Sequence, residues 1–327
     1  MTKKHIYIYS PSGAVRDKAA FRRGIARLTT FGHDVEIDAD ALTSHQRFAG
    51  DDATRLSAIH RAAASGCDVA MISRGGYGLT RILDGINYKA VAKSIDKGTQ
   101  FVGFSDFTAF SLAVLAKTGR RTWAGPALID DFAVIGLNEP DAHGHATESS
   151  GPDDIMEDCF NDMITGQGEG AGWRLSKERD QVANAASIAA SIHIKNATLW
   201  GGNLAVLSGL VGTPHFPSVK GGILFLEDVA EHPYRIERML TQLLLSGVLA
   251  RQKAIVLGQF TLYKLGKHDK GFKLQTVVDW LRSRLKIPVL TNLPFGHVAT
   301  KVLLPVGAKV SLVAQERDAF ILWGHPP

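Results

Sequence analysis

The sequence predicts an α/β protein whose amino-terminal half builds a doubly wound parallel sheet. Three observations predict it. Short apolar strands alternate with helices of 3.6-residue periodicity, the pattern of parallel βαβ units. The 327 residues suffice for about two domains at ~150 residues each, each with its own core. Hydrophobic residues make up 45% of the chain and charged residues 21%, a globular balance that excludes a disordered chain, a coiled coil and a collagen-like repeat.

His5–Ser10 reads as the first strand, and Pro11-Ser12-Gly13 as the turn after it. Helical spacing runs from Lys18 to Phe31, with Phe21, Ile25 and Leu28 on one face and Gly32 as the stop. Val35–Ile37 is a second strand, Thr54–Ala64 a second helix and Val69–Ile72 a third strand. A short helix and a polar stretch lead to the strand Phe101–Phe104, and a helix follows from Asp106 to Lys117. Leu137–Gly151 is polar and Gly-rich, an exposed loop, and Asp153–Ile164 is helical. A polar connector then runs to about Asn184. We place the domains at 1–165 and 191–327, with 166–190 as the linker. The second half mixes strands (Gly222–Leu226, Ala254–Leu257) with helices (Leu204–Val211, Tyr234–Leu245, Leu274–Leu285). It closes on strand-like Val302–Leu304, Val310–Val313 and Phe320–Trp323.

Charge and cysteines narrow the function classes. The net charge of +5 comes from 37 basic against 32 acidic residues, spread along the chain rather than clustered as nucleic-acid binding requires. The one basic cluster, Lys264, Lys267, His268, Lys270 and Lys273, is broken by Gly and Asp and reads as a solvated loop. Cys67 and Cys159 could form one disulfide, but neither has C-x-x-C or metal-ligand spacing, and two cysteines suit a reducing compartment. The apolar stretch after Met1 is shorter than the ~7–15 residues of a signal peptide core. No run reaches the ~18 apolar residues of a membrane span. The expectation is a cytoplasmic protein with neither nucleic acid nor membrane as partner.

Candidate chemistry starts at Gly103-Phe104-Ser105-Asp106, where an apolar strand ends at a serine and a helix starts at once. A nucleophile elbow has this arrangement, with Gly103 allowing close approach and the N–H of Asp106 available to an oxyanion. Phe107 stands where the G-x-S-x-G pattern has its second Gly, so a plain Ser-Asp helix cap is the competing reading. Arg74-Gly75-Gly76-Tyr77-Gly78 follows another strand, at the carboxyl-end rim where ligands of parallel sheets bind. It offers backbone amides and the Arg74 cation, or is a tight turn. It lacks both G-x-G-x-x-G and G-x-x-x-x-G-K-[ST], so no nucleotide cofactor is indicated. Glu227, Asp228 and Glu231 cluster at a strand end and can orient a histidine, cap a helix or face solvent. Phe295-Gly296-His297 puts a histidine in a short loop, a possible general base for Ser105. His215, His232 and His268 have little to recommend them as bases. The 12 histidines show no zinc spacing, which disfavours metal catalysis.

These residues resemble one family, the serine LD-carboxypeptidases, and within it the murein tetrapeptide carboxypeptidases. The resemblance rests on Ser10-Pro11-Ser12-Gly13, Arg47-Phe48-Ala49-Gly50, Arg74 to Gly78, Gly103 to Thr108 and Leu199-Trp200-Gly201-Gly202-Asn203-Leu204. It continues through Gly212-Thr213-Pro214, Leu226-Glu227-Asp228, His232-Pro233, Glu237-Arg238-Met239-Leu240, Arg251-Gln252-Lys253-Ala254-Ile255 and Phe295-Gly296-His297. Each motif alone is weak, whereas the ordered set is specific and spans nearly the whole chain. The 137–151 loop looks longer than in the family.

The resemblance implies an amino-terminal Rossmann-like (flavodoxin-like) domain carrying the nucleophile and a carboxyl-terminal β-rich α/β domain carrying the acid and the base. It implies Ser105 as nucleophile, His297 as general base and Glu227 as the carboxylate orienting it. The oxyanion hole would be the backbone N–H groups of Asp106, Gly75 and Gly76; from its charge and position, rather than from the resemblance, Arg74 is a candidate for the substrate carboxylate. No cofactor or metal is implied. The substrate would be a muropeptide tetrapeptide that loses its terminal D-alanine in peptidoglycan recycling, and the assembly a homodimer. The alternatives are an immunity-type peptidase acting on peptidyl-nucleotide antibiotics and a non-catalytic small-ligand binding protein.

Overall fold

The computed structural model describes residues 3–134, 152–175 and 191–324. The expected loop at 137–151 and the second half of the connector lie outside them. The chain divides into two compact units. One comprises Met1–Phe110, Trp123–Gln167 and Ala299–Leu303, the other Ser111–Thr122, Gly168–Val298 and Leu304–Pro327.

In the first unit, the strands β1 (His5–Tyr9), β2 (Asp34–Ile37), β3 (Val69–Ile72), β4 (Gln100–Gly103) and β5 (Thr122–Ala124) pair in the order β5-β4-β3-β1-β2. All four pairings are parallel. All four residues of β3 are buried, which is why it reads as an unbroken apolar run rather than an alternating one. The helices α1 (Lys18–Thr30), α2 (Asp52–Ala64), α3 (Tyr88–Asp96) and α5 (Asp154–Thr165) each begin with a capping side chain, Asp17, Asp51, Asn87 and Asp153 respectively. Each cap satisfies an orphan backbone N–H and is worth about 1 kcal/mol. After β4 the chain makes a 3-10 turn, Ser105–Phe107, and runs straight into α4 (Thr108–Thr118), whose residues from Ser111 onward are counted with the other unit. The Rossmann-like half expected from the sequence is present.

The second unit is built on strands β6 (Gly170–Arg174), β7 (Ile192–Asn203), β8 (Ile223–Val229), β9 (Ala254–Thr261), β10 (Val289–Leu290), β12 (Lys309–Gln315) and β13 (Asp318–Leu322). They pair in the order β10-β9-β8-β7-β12-β13-β6. β11 (Leu304–Val306) precedes β12 in the chain. The β10-β9-β8-β7 side is parallel and the β7-β12-β13-β6 side antiparallel. Helices α6 (Leu204–Gly209), α7 (Pro233–Leu245) and α8 (Leu274–Arg284) complete it. This is the expected β-rich α/β half.

Two sequence expectations need correction, and one strand was missed. The connector is not structureless: β6 lies in it, because only Ala171 and Trp173 of that strand face inward, too few apolar residues to signal a strand. The 12-residue β7 went unread because Lys195, Asn196 and two glycines interrupt its apolar pattern. The strand expected at Val302–Leu304 begins instead at Leu304, while Val302 and Leu303 are buried without joining it. Both cysteines are free. No described helix is long and apolar enough to cross a membrane.

Candidate active site

Ser105 sits where β4 hands over to α4. Phe104 is extended (φ −145°, ψ −169°) and Ser105 turns to φ 61°, the left-handed region that costs a non-glycine residue about 1–2 kcal/mol. Such strain at a serine between strand and helix is the mechanical content of a nucleophile elbow. The helix-cap reading is overturned. Phe104 holds the cap position and no side chain caps this turn, because Ser105 lies inside the first turn rather than ahead of it. The Asp106 carboxylate is likewise no cap. It is 2% exposed and accepts from Ser12 Oγ at 2.7 Å and from the Leu79 backbone N–H at 2.9 Å. Burial pushes this carboxyl above its usual range, against the pull of those two donors and of Arg55.

Two glycines make this turn possible. A Cβ on Gly75 would stand 2.8 Å from Ser105 Cβ and 2.9 Å from its Oγ. One on Gly103 would stand 2.8 Å from Ile72 Cδ1 and 2.9 Å from Phe107 Cδ1. The Gly13 N–H donates to Gly75 O at 3.1 Å, so the turns after β1 and β3 are packed backbone to backbone. Arg74 is half-buried, its Nη1 donating to Ala14 O at 3.3 Å. Sequence reasoning missed Arg55. It is fully buried, and its Nη1 donates to Pro11 O at 3.2 Å and to Gly78 O at 2.8 Å while the guanidinium pairs with Asp52. An arginine on the inner face of α2 was the available signal.

In the other unit, Glu227 and His297 meet. Glu227 is 0% exposed, and its Oε2 lies 2.8 Å from His297 Nδ1. A carboxylate only accepts, so a neutral imidazole in this contact carries its proton on Nδ1 and its lone pair on Nε2. The strand ends unevenly here. The β8–β9 register slips between Leu226 and Asp228, and a Cβ on Gly258 would lie 2.4 Å from Phe295 O. Gly258 thus admits the loop that carries His297. Gln259 N–H donates to Phe295 O at 2.9 Å and Thr261 Oγ1 to His297 O at 3.3 Å. Gly296 has φ 140°, and a Cβ there would lie 3.2 Å from Glu227 Cβ.

Asn203 and Asp228 complete the cluster; the sequence offered Asp228 as an alternative orienting acid and gave Asn203 no role. Asn203 Nδ2 donates to Glu227 Oε1 at 3.2 Å and to Asp228 Oδ1 at 3.0 Å, while its Oδ1 accepts from Val206 N–H. Asp228 also accepts from the Ala205 and Val229 N–H groups, each at 2.9 Å. Its carboxyl is nevertheless pushed up to about 6, by burial first and by the neighbouring Glu227 charge second. The Trp-Gly-Gly-Asn run explains itself. A Cβ on Gly201 would stand 1.9 Å from Phe225 O, so only glycine lets β7 lie close enough to bring Asn203 to the acids. Glu231 pairs with Arg235, and His232 caps α7 and faces Asp269 at 3.2 Å. Among the described residues no group of three or more His, Cys, Asp or Glu could hold a metal ion.

Profiles of two protein domains match this chain: the LD-carboxypeptidase N-terminal domain over residues 6–125 and the C-terminal domain over residues 196–312. Together they cover well over half of it. The chain belongs to the LD-carboxypeptidase family. This LD-carboxypeptidase is a serine-type peptidase. It is similar to the murein tetrapeptide carboxypeptidase of Pseudomonas aeruginosa, 26% identical over 291 residues that cover 86% of this chain and 85% of the relative. The solved muramoyltetrapeptide carboxypeptidase from Oxalobacter formigenes has a TM-score of 0.82 at 36% identity, with 99% of this chain and 100% of that one covered. The microcin C7 self-immunity protein MccF of Escherichia coli is 27% identical over 261 residues, covering 74% of this chain and 70% of MccF.

Proposed function

We propose that this LD-carboxypeptidase removes the carboxyl-terminal D-alanine from muropeptide tetrapeptides, as a step of cytoplasmic peptidoglycan recycling carried out by a homodimer. The observation that carries the reading is the 2.8 Å contact of His297 Nδ1 with the buried Glu227 carboxylate, a base already oriented for proton transfer. The names of the Pseudomonas and Oxalobacter relatives supply the substrate class.

In this mechanism His297 Nε2 takes the Ser105 proton as Oγ attacks the carbonyl carbon before D-alanine. The tetrahedral oxyanion is held by the N–H groups of Asp106, Gly75 and Gly76, each such donor being worth ~3–4 kcal/mol in comparable sites. The imidazolium, stabilised by Glu227, gives its proton to the leaving amine, and free D-alanine departs. Water, deprotonated by His297, then hydrolyses the Ser105 ester and regenerates the hydroxyl. Arg74 meets the free carboxylate that marks the end of the peptide.

The similarity to MccF favours a second reading, hydrolysis of a peptidyl nucleotide by the same three residues. Incubation with tri-, tetra- and pentapeptide muropeptides and with a peptidyl nucleotide, followed by mass spectrometry, separates the two. Loss of one alanine from the tetrapeptide, abolished in Ser105→Ala, supports recycling. Cleavage of the nucleotide conjugate alone would move the assignment to immunity. Turnover of neither would leave a binding protein.

A further inference from the structure

Lys301 stands inside an apolar run, between Val298 and Leu304, and is 1% exposed. A buried ammonium is tolerated only with a close partner. Its Nζ lies 2.6 Å from Asp131 Oδ1, and Asp131 itself is 3% exposed at its side chain. The other Asp131 oxygen accepts the Ala127 N–H at 2.8 Å, so the carboxylate is fixed by the π-helical turn Leu128–Phe132. The ammonium also faces the ring of Phe104, 3.5 Å from its centroid, well inside the ~6 Å range of cation–π attraction.

Phe104 is the residue before Ser105. Its carbonyl accepts the Phe107 N–H at 3.1 Å and its ring rests on Lys301. A serine at φ 61° keeps that conformation only when its neighbours over-determine it. Gly75 bounds the Ser105 side chain on one side; the ring, ammonium and carboxylate grip the preceding residue. Packing alone does not call for this pair, since apolar side chains commonly replace a buried ion pair without loss of stability.

We propose that Lys301, paired with Asp131, is a positioning residue: its ammonium anchors the Phe104 ring and thereby holds the Ser105 hydroxyl in its reactive orientation. The proposal rests on the reading of Ser105 as the nucleophile.

The test separates position from stability. Lys301→Met alone leaves Asp131 buried and unpaired, and it destabilises whatever the role of the pair. Lys301→Met combined with Asp131→Asn removes both charges and keeps an acceptor for Ala127. The double variant is expected to melt within a few degrees of the wild type. It should react with a fluorophosphonate at Ser105 at least tenfold more slowly and lose kcat on the tetrapeptide by a similar factor, with KM within twofold. Phe104→Leu, which removes the ring and leaves the ion pair, should slow labelling in the same way and serves if the double variant does not fold. Wild-type labelling rates in the folded double variant, or in Phe104→Leu, overturn the positioning role. A wild type that is labelled at Ser105 but leaves the tetrapeptide intact overturns the substrate assignment and leaves this test in force. A wild type that neither labels nor turns over overturns both.

Discussion

Glu227 is the residue whose chemistry is most exposed to a one-atom change. Glu227→Gln keeps the size and offers His297 either an amide oxygen or an amide nitrogen, and it removes the charge that stabilises an imidazolium. We expect kcat to fall by about 10³–10⁴-fold with the fold intact, on the precedent of the corresponding change in serine proteases; full activity measured by D-alanine release would transfer the orienting role to another acid. Gly75→Ala is a purely steric lesion. Its methyl group would stand 2.8 Å from Ser105 Cβ, and displacing a nucleophile by about 1 Å costs on the order of 100-fold. Steady-state kinetics beside a thermal melt should show activity lost and the melt little moved. Asn203→Ala withdraws a shared donor from two buried acids and should cost about 1–3 kcal/mol in urea unfolding. Ser105 and the acidic cluster Glu227-Asp228 drew notice in the sequence because each ends an apolar run, and His297 because it sits in a short loop between strand-like segments. Asn203, Arg55 and Lys301 did not, because what makes them matter is burial among partners distant in the chain. Lys301 did leave a trace, as one charge in an otherwise apolar segment.

At the scale of elements, β8 carries the feature most sensitive to pH. The Asp228 carboxyl, pushed up to about 6 by burial and by Glu227, has an unfolded value of ~3.9. Between those values the folded chain holds more protons than the unfolded one, so this group's contribution to stability declines as pH rises from about 4 to 6. The full swing is on the order of 3 kcal/mol. Urea midpoints across that range should show the advantage of the wild type over Asp228→Asn shrinking as pH rises; a difference that does not vary with pH would refute the assignment. Elements with a local signature were readable from the sequence. Val69–Ile72 is apolar throughout, and Pro233 opens α7 where proline is favoured. β6 and the antiparallel part of β7 were not, because their strand character comes from pairing with β13 and β12, more than 100 residues away in sequence.

For the whole molecule, the path of the chain matters more than any single contact. The two compact units are not consecutive: residues 299–303 belong with the amino-terminal unit and 111–122 with the other. The amino-terminal unit thus depends on Lys301 for the partner of Asp131 and on Leu303 for packing against Gly125. A fragment ending at Gln167 retains every strand from β1 to β5 but leaves Asp131 buried without its cation. It is expected to lack a cooperative thermal transition by circular dichroism, whereas the intact chain has one. A sharp melt in the fragment would show that the late segment is dispensable. The division into 1–165 and 191–327 suggested by the sequence follows chain order and contains neither excursion, since five to twelve residues of ordinary composition carry no mark of which core they join.

That interleaving has a genetic consequence. A crossover between relatives that fell anywhere between codons 168 and 298 would pair one parent's Asp131 and Phe104 with the other parent's Lys301, so the two halves of this gene cannot be traded as independent cassettes without also matching a five-residue passage near its far end.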